Sequence, residues 1–263
     1  MCRLLGLIAN QSVDLEFSLD KFKKYSSLNQ DGWGIGWYEN GSARIYKEAL
    51  SAWVDPGYNQ KSREVQSKII IAHVRAATTG KRARANSHPF MKDNWIFAHN
   101  GLVPREHLIK LLTAAHKKDL EGQTDSEVYF RWILQCLDKN GEVVKGISQA
   151  VGEIIGKTHS NCYHGLNFLL SDGQRLYALR FSNPGSLAYY SLYYLLRDPK
   201  VDGPSEFASE ETKIILRSKS LKGQRAILVC SEKLTEENWQ EIKPGYLLEV
   251  GPDLRVQENL VIK

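Results

Sequence analysis

A chain of 263 residues that is 42% hydrophobic and 25% charged, with 20 Gly and 8 Pro, has the composition of a globular protein; disorder, collagen repeats and coiled coil are excluded. The 35 basic and 30 acidic residues leave a formal charge of +5, and the basic residues are scattered among acids, which argues against nucleic acid as a partner. Such a length buries a large core without staples, and Cys2, Cys136, Cys162 and Cys230 form no CxxC pair, so neither a disulfide framework nor a metal site is indicated.

Residues 2–9 are short and apolar and end at the polar Asn10-Gln11-Ser12, which predicts a buried strand at the extreme N-terminus. Gly6 interrupts this run, which is too short for a signal segment or a membrane span; a cytoplasmic protein without membrane contact is expected. Residues 35–38 and 42–47 flank Glu39-Asn40-Gly41, a hairpin signal. Strands are also predicted at 69–74 and 94–98, each running into a polar segment that contains His. Pro104 fits a first turn, and Leu108, Leu111, Leu112 and Ala115 share one face of a single predicted helix. Thr124-Asp125-Ser126-Glu127 has the form of a capping box and opens a second helix, whose stripe is Val128, Tyr129, Trp132, Ile133, Cys136 and Leu137. A third carries Val144, Ile147, Val151, Ile154 and Ile155 and stops at Gly156. Strand-like pieces follow at 166–170, 175–180, 187–193, 226–230 and 247–250, and residues 198–211, with Pro199, Gly203 and Pro204, read as a flexible excursion. Strands, a helical block and strands again predict an α+β fold with largely antiparallel sheets, in one domain over residues 1–263.

Cys2 is the unusual position. Removal of Met1 puts a thiol and a free α-amine on one residue; with a pKa of roughly 7.7–8.0, part of that amine is neutral near pH 7 and can take the thiol proton directly or through one water. By itself a Cys at position 2 reads first as a small core hydrophobe. Asn100-Gly101 offers a side-chain amide and a backbone N–H to an oxyanion, or else forms a plain turn. Arg75, at the end of a predicted strand, is either poised for a bidentate grip on a carboxylate or part of an ordinary ion pair. Asp125 stabilises a helix first turn or binds a substrate ammonium. Cys162 and Cys230 have no local signature of a papain-type nucleophile.

Taken together and in order, these segments resemble the N-terminal nucleophile, class II glutamine amidotransferases. Cys2 matches the family's nucleophile, and residues 73–80, His-Val-Arg-Ala-Ala-Thr-Thr-Gly, are similar to the segment whose Arg holds the α-carboxylate of glutamine. Asn86-Ser87-His88-Pro89 and His99-Asn100-Gly101 resemble the Asn-x-His-Pro and oxyanion-hole segments, and Thr124-Asp125-Ser126-Glu127 the one whose Asp binds the α-amine. Asp31-Gly32-Trp33-Gly34 and residues 169–173 and 238–245 narrow the resemblance to the small stand-alone, YafJ-like members. The resemblance implies the αββα Ntn-hydrolase sandwich of two antiparallel sheets between helical layers. It implies Cys2, Asn100 and Gly101 as catalytic residues, Arg75, Asp125, Thr78 and His88 as substrate-binding residues, and neither cofactor nor metal. The implied substrate is glutamine or a γ-glutamyl compound, cleaved through a thioester at Cys2 with release of glutamate. With no P-loop and no GxGxxG, a stand-alone hydrolase is expected; the alternatives are a glutaminase subunit that passes ammonia to a partner synthase and a non-catalytic γ-glutamyl-binding module. Leu28-Asn29-Gln30, Ala76 and Thr79 depart from the family pattern, which implies altered contacts around the α-amine and wider access.

Overall fold

The computed structural model describes residues 2–157, 159, 162–198, 208–209, 214–215 and 224–262. β1 (Arg3–Val13) is followed by α1 (Glu16–Lys23), the hairpin β2 (Gly32–Glu39) and β3 (Ser42–Glu48), α2 (Pro56–Glu64) and β4 (Ser67–Arg75). β5 (Phe90–Lys92) and β6 (Trp95–Leu102) lead into the helices α3 (Arg105–Leu111), α4 (Ala114–Lys117), α5 (Asp125–Asn140) and α6 (Val143–Lys157). Then come β7 (Gly165–Ser171), β8 (Leu176–Arg180), β9 (Tyr193–Arg197), the two-residue pair β10 (Ala208–Ser209) and β11 (Ile214–Ile215), β12 (Ala226–Cys230), β13 (Gln240–Glu241), β14 (Tyr246–Val250) and β15 (Val256–Leu260).

Two antiparallel sheets result, ordered β13-β9-β12-β1-β4-β2-β3 and β15-β14-β8-β7-β6-β5. Strand periodicity sorts their side chains into three layers. Leu4, Ile8, Ile69 and Ile71 of the first sheet meet Ile96, Ala98, Leu169, Ala178 and Leu248 of the second between the sheets. Leu5, Leu7, Ile70 and Ala72 point the other way, onto Leu19 and Phe22 of α1 and Tyr58 of α2. The outer face of the second sheet, with Phe97 and Phe168, packs on Tyr129 and Ile133 of α5 and Ile147 and Val151 of α6. The fold is the αββα sandwich expected for an Ntn hydrolase.

Several elements differ from expectation. The helix predicted from Pro104 is broken at Leu112 and Thr113, where the Thr113 N–H is taken by the Gln135 side chain of α5 instead of the helix ladder. The strand expected at 187–193 begins only at Tyr193, because its pairing with β12 runs from Tyr193↔Cys230 to Arg197↔Ala226. The preceding residues leave the sheet: the Tyr190 carbonyl accepts from Asn167 Nδ2 (3.0 Å) and Arg180 Nε (3.1 Å). The expected excursion at 198–211 falls outside the described residues except for residues 198, 208 and 209. Among the described residues no helix is long and apolar enough to cross a membrane.

Candidate active site

Cys2, Arg75 and Asn100 are brought to one end of the inter-sheet layer by register alone. β1 pairs with β4 as Arg3↔Val74 and Leu4↔His73, so the next step along the ladder sets Cys2 beside Arg75. Cys2 and Arg75 share the strand parity of Leu4 and Ile71, while Asn100 shares that of Ile96 and Ala98; these side chains belong to the space between the sheets. His73 shares the Arg75 face of β4 and lies just below this end, with its ring against that of His88.

The Cys2 thiol donates to the Ala76 carbonyl at 3.4 Å. Burial pushes its pKa up, against the lowering pull of that bond and of the Arg75 charge, so the sulfur rests as a thiol and needs a base to become a nucleophile. The Arg75 guanidinium is buried; it donates to the carbonyls of Thr79 (2.6 Å), Lys81 (3.3 Å) and Gly80 (3.4 Å). Those bonds fold residues 76–82 back over the strand end, and Asp31 closes the other side by accepting from the Ala77 N–H at 2.8 Å.

Asp125 enters from the first turn of α5. Thr124 caps that helix by accepting from the Glu127 N–H, and α5 is aimed by its buried apolar stripe. One Asp125 carboxylate oxygen accepts from the Thr79 hydroxyl at 2.6 Å, the other from the Val103 N–H at 2.9 Å. Each oxygen keeps a lone pair for a further donor. Thr78, expected to bind substrate, is exposed, and its neighbour Thr79 reaches Asp125.

Asn100 and Gly101 lie inside a paired strand, not in a turn: they oppose Asn167 and Leu166 of β7. Glycine is required at 101, since a Cβ there would collide with the Gly165 carbonyl and stand 2.8 Å from His99 Nε2. His99 is buried, and burial holds its pKa low and the ring neutral. Its Nε2 lies 3.2 Å from the Gly165 carbonyl, which can only accept, so the proton sits on Nε2, and Nδ1 accepts from the Ser126 hydroxyl at 2.9 Å. His99 thus fixes the Asn100-Gly101 segment between β7 and the start of α5.

His88 is buried, its ring tilted by 35° against that of His73 with centroids 4.1 Å apart and edge-on to Phe90 at 4.6 Å. Burial lowers the pKa of His73 to about 3 and that of His88 well below its ordinary value, so both rings are neutral. Gly34 gives this segment its room, because a Cβ there would collide with the His88 carbonyl. Trp33, on the other face of β2, donates from Nε1 to Asp55 at 2.8 Å and anchors α2. The Asp31-Gly32-Trp33-Gly34 run is therefore a packing device around the site as well as a motif.

A family model described as glutamine amidotransferases class-II matches residues 1–253. The chain belongs to the class-II glutamine amidotransferase family. It is 28% identical over 256 residues to the putative glutamine amidotransferase YafJ of Escherichia coli, covering 93% of this chain and 95% of that one. It is 30% identical over 118 residues to a gamma-glutamyl-hercynylcysteine sulfoxide hydrolase of Mycobacterium tuberculosis, covering 40% of this chain and 51% of that protein. A solved glutamine aminotransferase class-II domain protein from Silicibacter pomeroyi superposes over the full length of both chains with a TM-score of 0.66 at 22% identity.

Three supports of this candidate site were given no role by the sequence. Thr79 stood out only as a departure from the family pattern, and the structure sets its hydroxyl on Asp125. Asn86 bridges two loops, donating to the Lys81 carbonyl and accepting from the Gln123 N–H. Tyr190 has its ring against Gly165, where a Cβ would meet it, and burial together with the charges of Cys2 and Asp125 raises its phenol pKa. Alternation alone placed that tyrosine in a strand.

Proposed function

We propose that the chain is an N-terminal cysteine hydrolase that cleaves the γ-glutamyl amide bond of glutamine or of a γ-glutamyl compound and releases glutamate. The observation that carries this reading is the gathering of Cys2, Arg75, Asn100-Gly101 and Asp125 at one end of the inter-sheet layer, each held by a second residue. The YafJ and γ-glutamyl hydrolase relatives support it.

Arg75 takes the substrate α-carboxylate and Asp125 the α-ammonium, which leaves the δ-carbonyl beside Cys2. With Met1 removed, the neutral α-amine accepts the thiol proton and sulfur attacks the carbonyl carbon; Asn100 Nδ2 and the Gly101 N–H donate to the resulting oxyanion. The ammonium formed on Cys2 returns its proton to the leaving nitrogen as the C–N bond breaks, giving a γ-glutamyl thioester. Water, deprotonated by the same amine, attacks the thioester; glutamate departs and the thiol regains its proton. Thr78 is exposed and His88 is buried against His73 and Phe90, and neither is given a step in this scheme.

The test is glutamate release from glutamine and a panel of γ-glutamyl amides by protein whose Met1 removal is confirmed by intact mass. Cys2→Ala is expected to lose turnover and keep binding. Release that is unchanged in Cys2→Ala overturns the scheme, and no release from processed wild-type protein favours an ammonia-delivering subunit or a binding module.

A further inference from the structure

Arg3 follows the nucleophile directly and belongs by strand parity to the opposite face of β1, yet its side chain turns back over the end of the sheet. Nη1 donates to the Cys2 carbonyl at 3.1 Å, and Nη2 lies 3.0 Å from Glu232 Oε1. The guanidinium also stands over the Tyr25 ring, 5.7 Å from its centroid. The strand beneath is pinned by a reciprocal pair of bonds: the Leu4 N–H donates to Ser231 Oγ and the Ser231 N–H to the Leu4 carbonyl, each at 3.0 Å. Glu232 is thereby set within reach of Arg3, and Arg3 within reach of Cys2.

The carbonyl that Arg3 grips and the α-amine of the processed chain sit on the same Cys2 backbone. A fixed positive charge at that carbonyl disfavours a second positive charge on the amine and lowers its pKa. Other groups act on the same spot. Arg75 from β4 adds to the lowering, and Asp125 from α5 opposes it; both already face the Cys2 side chain. Asp31, from the turn before β2, faces Arg75, and Tyr190 and Tyr25 are phenols whose pKa is raised by burial, so both are neutral. His73 and His88 beneath are neutral as well. Glu232 contacts Arg3 directly and offsets part of its charge.

We infer that Arg3 is a positioning residue that holds Cys2 by its carbonyl and keeps the Cys2 α-amine neutral near pH 7, with Glu232 setting how strongly it does so. This inference rests on the proposed role of the Cys2 amine as the base.

The experiment separates the two. In a Cys2→Ala background, which keeps a free terminal amine and removes the thiol, the pH dependence of N-terminal acylation is followed by peptide mass spectrometry and requires no turnover. Arg3→Gln is expected to raise the amine pKa by about half a unit, Glu232→Gln to lower it by a similar amount, and Arg3→Lys, which keeps the charge, to leave it near the parent value. In the Cys2 enzyme the acid limb of kcat/KM for glutamate release moves the same way: to higher pH in Arg3→Gln, to lower pH in Glu232→Gln. If neither charge-removing variant moves the amine titration while both fold with parental far-UV dichroism, the role of Arg3 is overturned. If the amine titration shifts as expected but wild-type protein releases no glutamate, the functional reading fails and the electrostatic one stands.

Discussion

Arg75 shows how little freedom the proposed substrate clamp has. Its guanidinium spans the carbonyls of Thr79, Gly80 and Lys81, and the loop so held carries the Thr79 hydroxyl to Asp125. A lysine keeps the charge but not the fork, so Arg75→Lys is expected to lower kcat/KM about 10–100-fold, mainly through KM, in steady-state assays of glutamate release. An unchanged KM would place the carboxylate elsewhere. The buried His73 and His88 rings make a second residue-level prediction, on stability. Folded His73 titrates at about 3 and His88 well below its ordinary value, whereas both titrate near 6.5 when unfolded. Between those values the unfolded chain binds protons that the folded chain does not, so stability is complete above pH 6.5 and is lost as pH falls. The slope is about 1.4 kcal/mol per pH unit for each ring once well below pH 6.5. Urea midpoints measured at pH 7, 6 and 5 are expected to fall; a flat series would mean that neither ring is held neutral.

Between elements, the proposed oxyanion segment is held by the contact of His99 of β6 with Ser126 of α5. Ser126→Ala leaves His99 Nδ1 buried without its donor, which is expected to cost about 1–3 kcal/mol in urea unfolding and to lower kcat, with both restored in Ser126→Thr. Unchanged stability in Ser126→Ala would mean that the bond is not made. This contact also marks the limit of what the sequence makes legible. Thr124 and the apolar stripe behind it announce α5, because a cap and a helical period are local signals. Ser126 as the partner of His99 is not local: the two are joined only when β6 and α5 pack on Phe97 and Tyr129. The same difference explains the misplaced strand. Tyr189 and Tyr190 alternate like strand residues, but five residues of β12 fix which five of β9 can pair, and Asn167 and Arg180 draw Tyr190 off the sheet. Asn100-Gly101 looked equally like a turn because the dipeptide is the same in both settings; β7 pairs it into a strand. Neither α1 nor α2 was expected: α2 has a local signal in Asp55-Pro56, with Asp55 accepting from the Gly57 N–H, whereas the short α1 depends on burying Leu19 and Phe22 and has weak local signals.

At the scale of the molecule, the fold and the proposed chemistry ask different things of the N-terminus. Among the described residues, the β1 ladder to β4 starts at Arg3↔Val74 and the bonds to Ser231 start at Leu4, so this pairing begins after Cys2. The proposed reaction, in contrast, needs the Cys2 nitrogen as a free amine, because a peptide nitrogen cannot take up the thiol proton. Burial raises the thiol pKa, while His73 and His88 are held at pKa values too low to take a proton near pH 7 and both ring nitrogens of His99 are committed to Ser126 and Gly165, so none of these rings serves the sulfur as a base. A lysine inserted between Met1 and Cys2 prevents exposure of the Cys2 amine. The extended chain is expected to melt within about 2 °C of the processed one, since no native pairing is removed. Its glutamate release is expected to fall by about 10²–10⁴-fold, the contribution of a positioned base. Melting by circular dichroism and glutamate assays on the two proteins, each verified by intact mass, decide the point. Loss of the fold would show that the terminus is structural after all, and full activity in the folded, extended chain would move the base to another group.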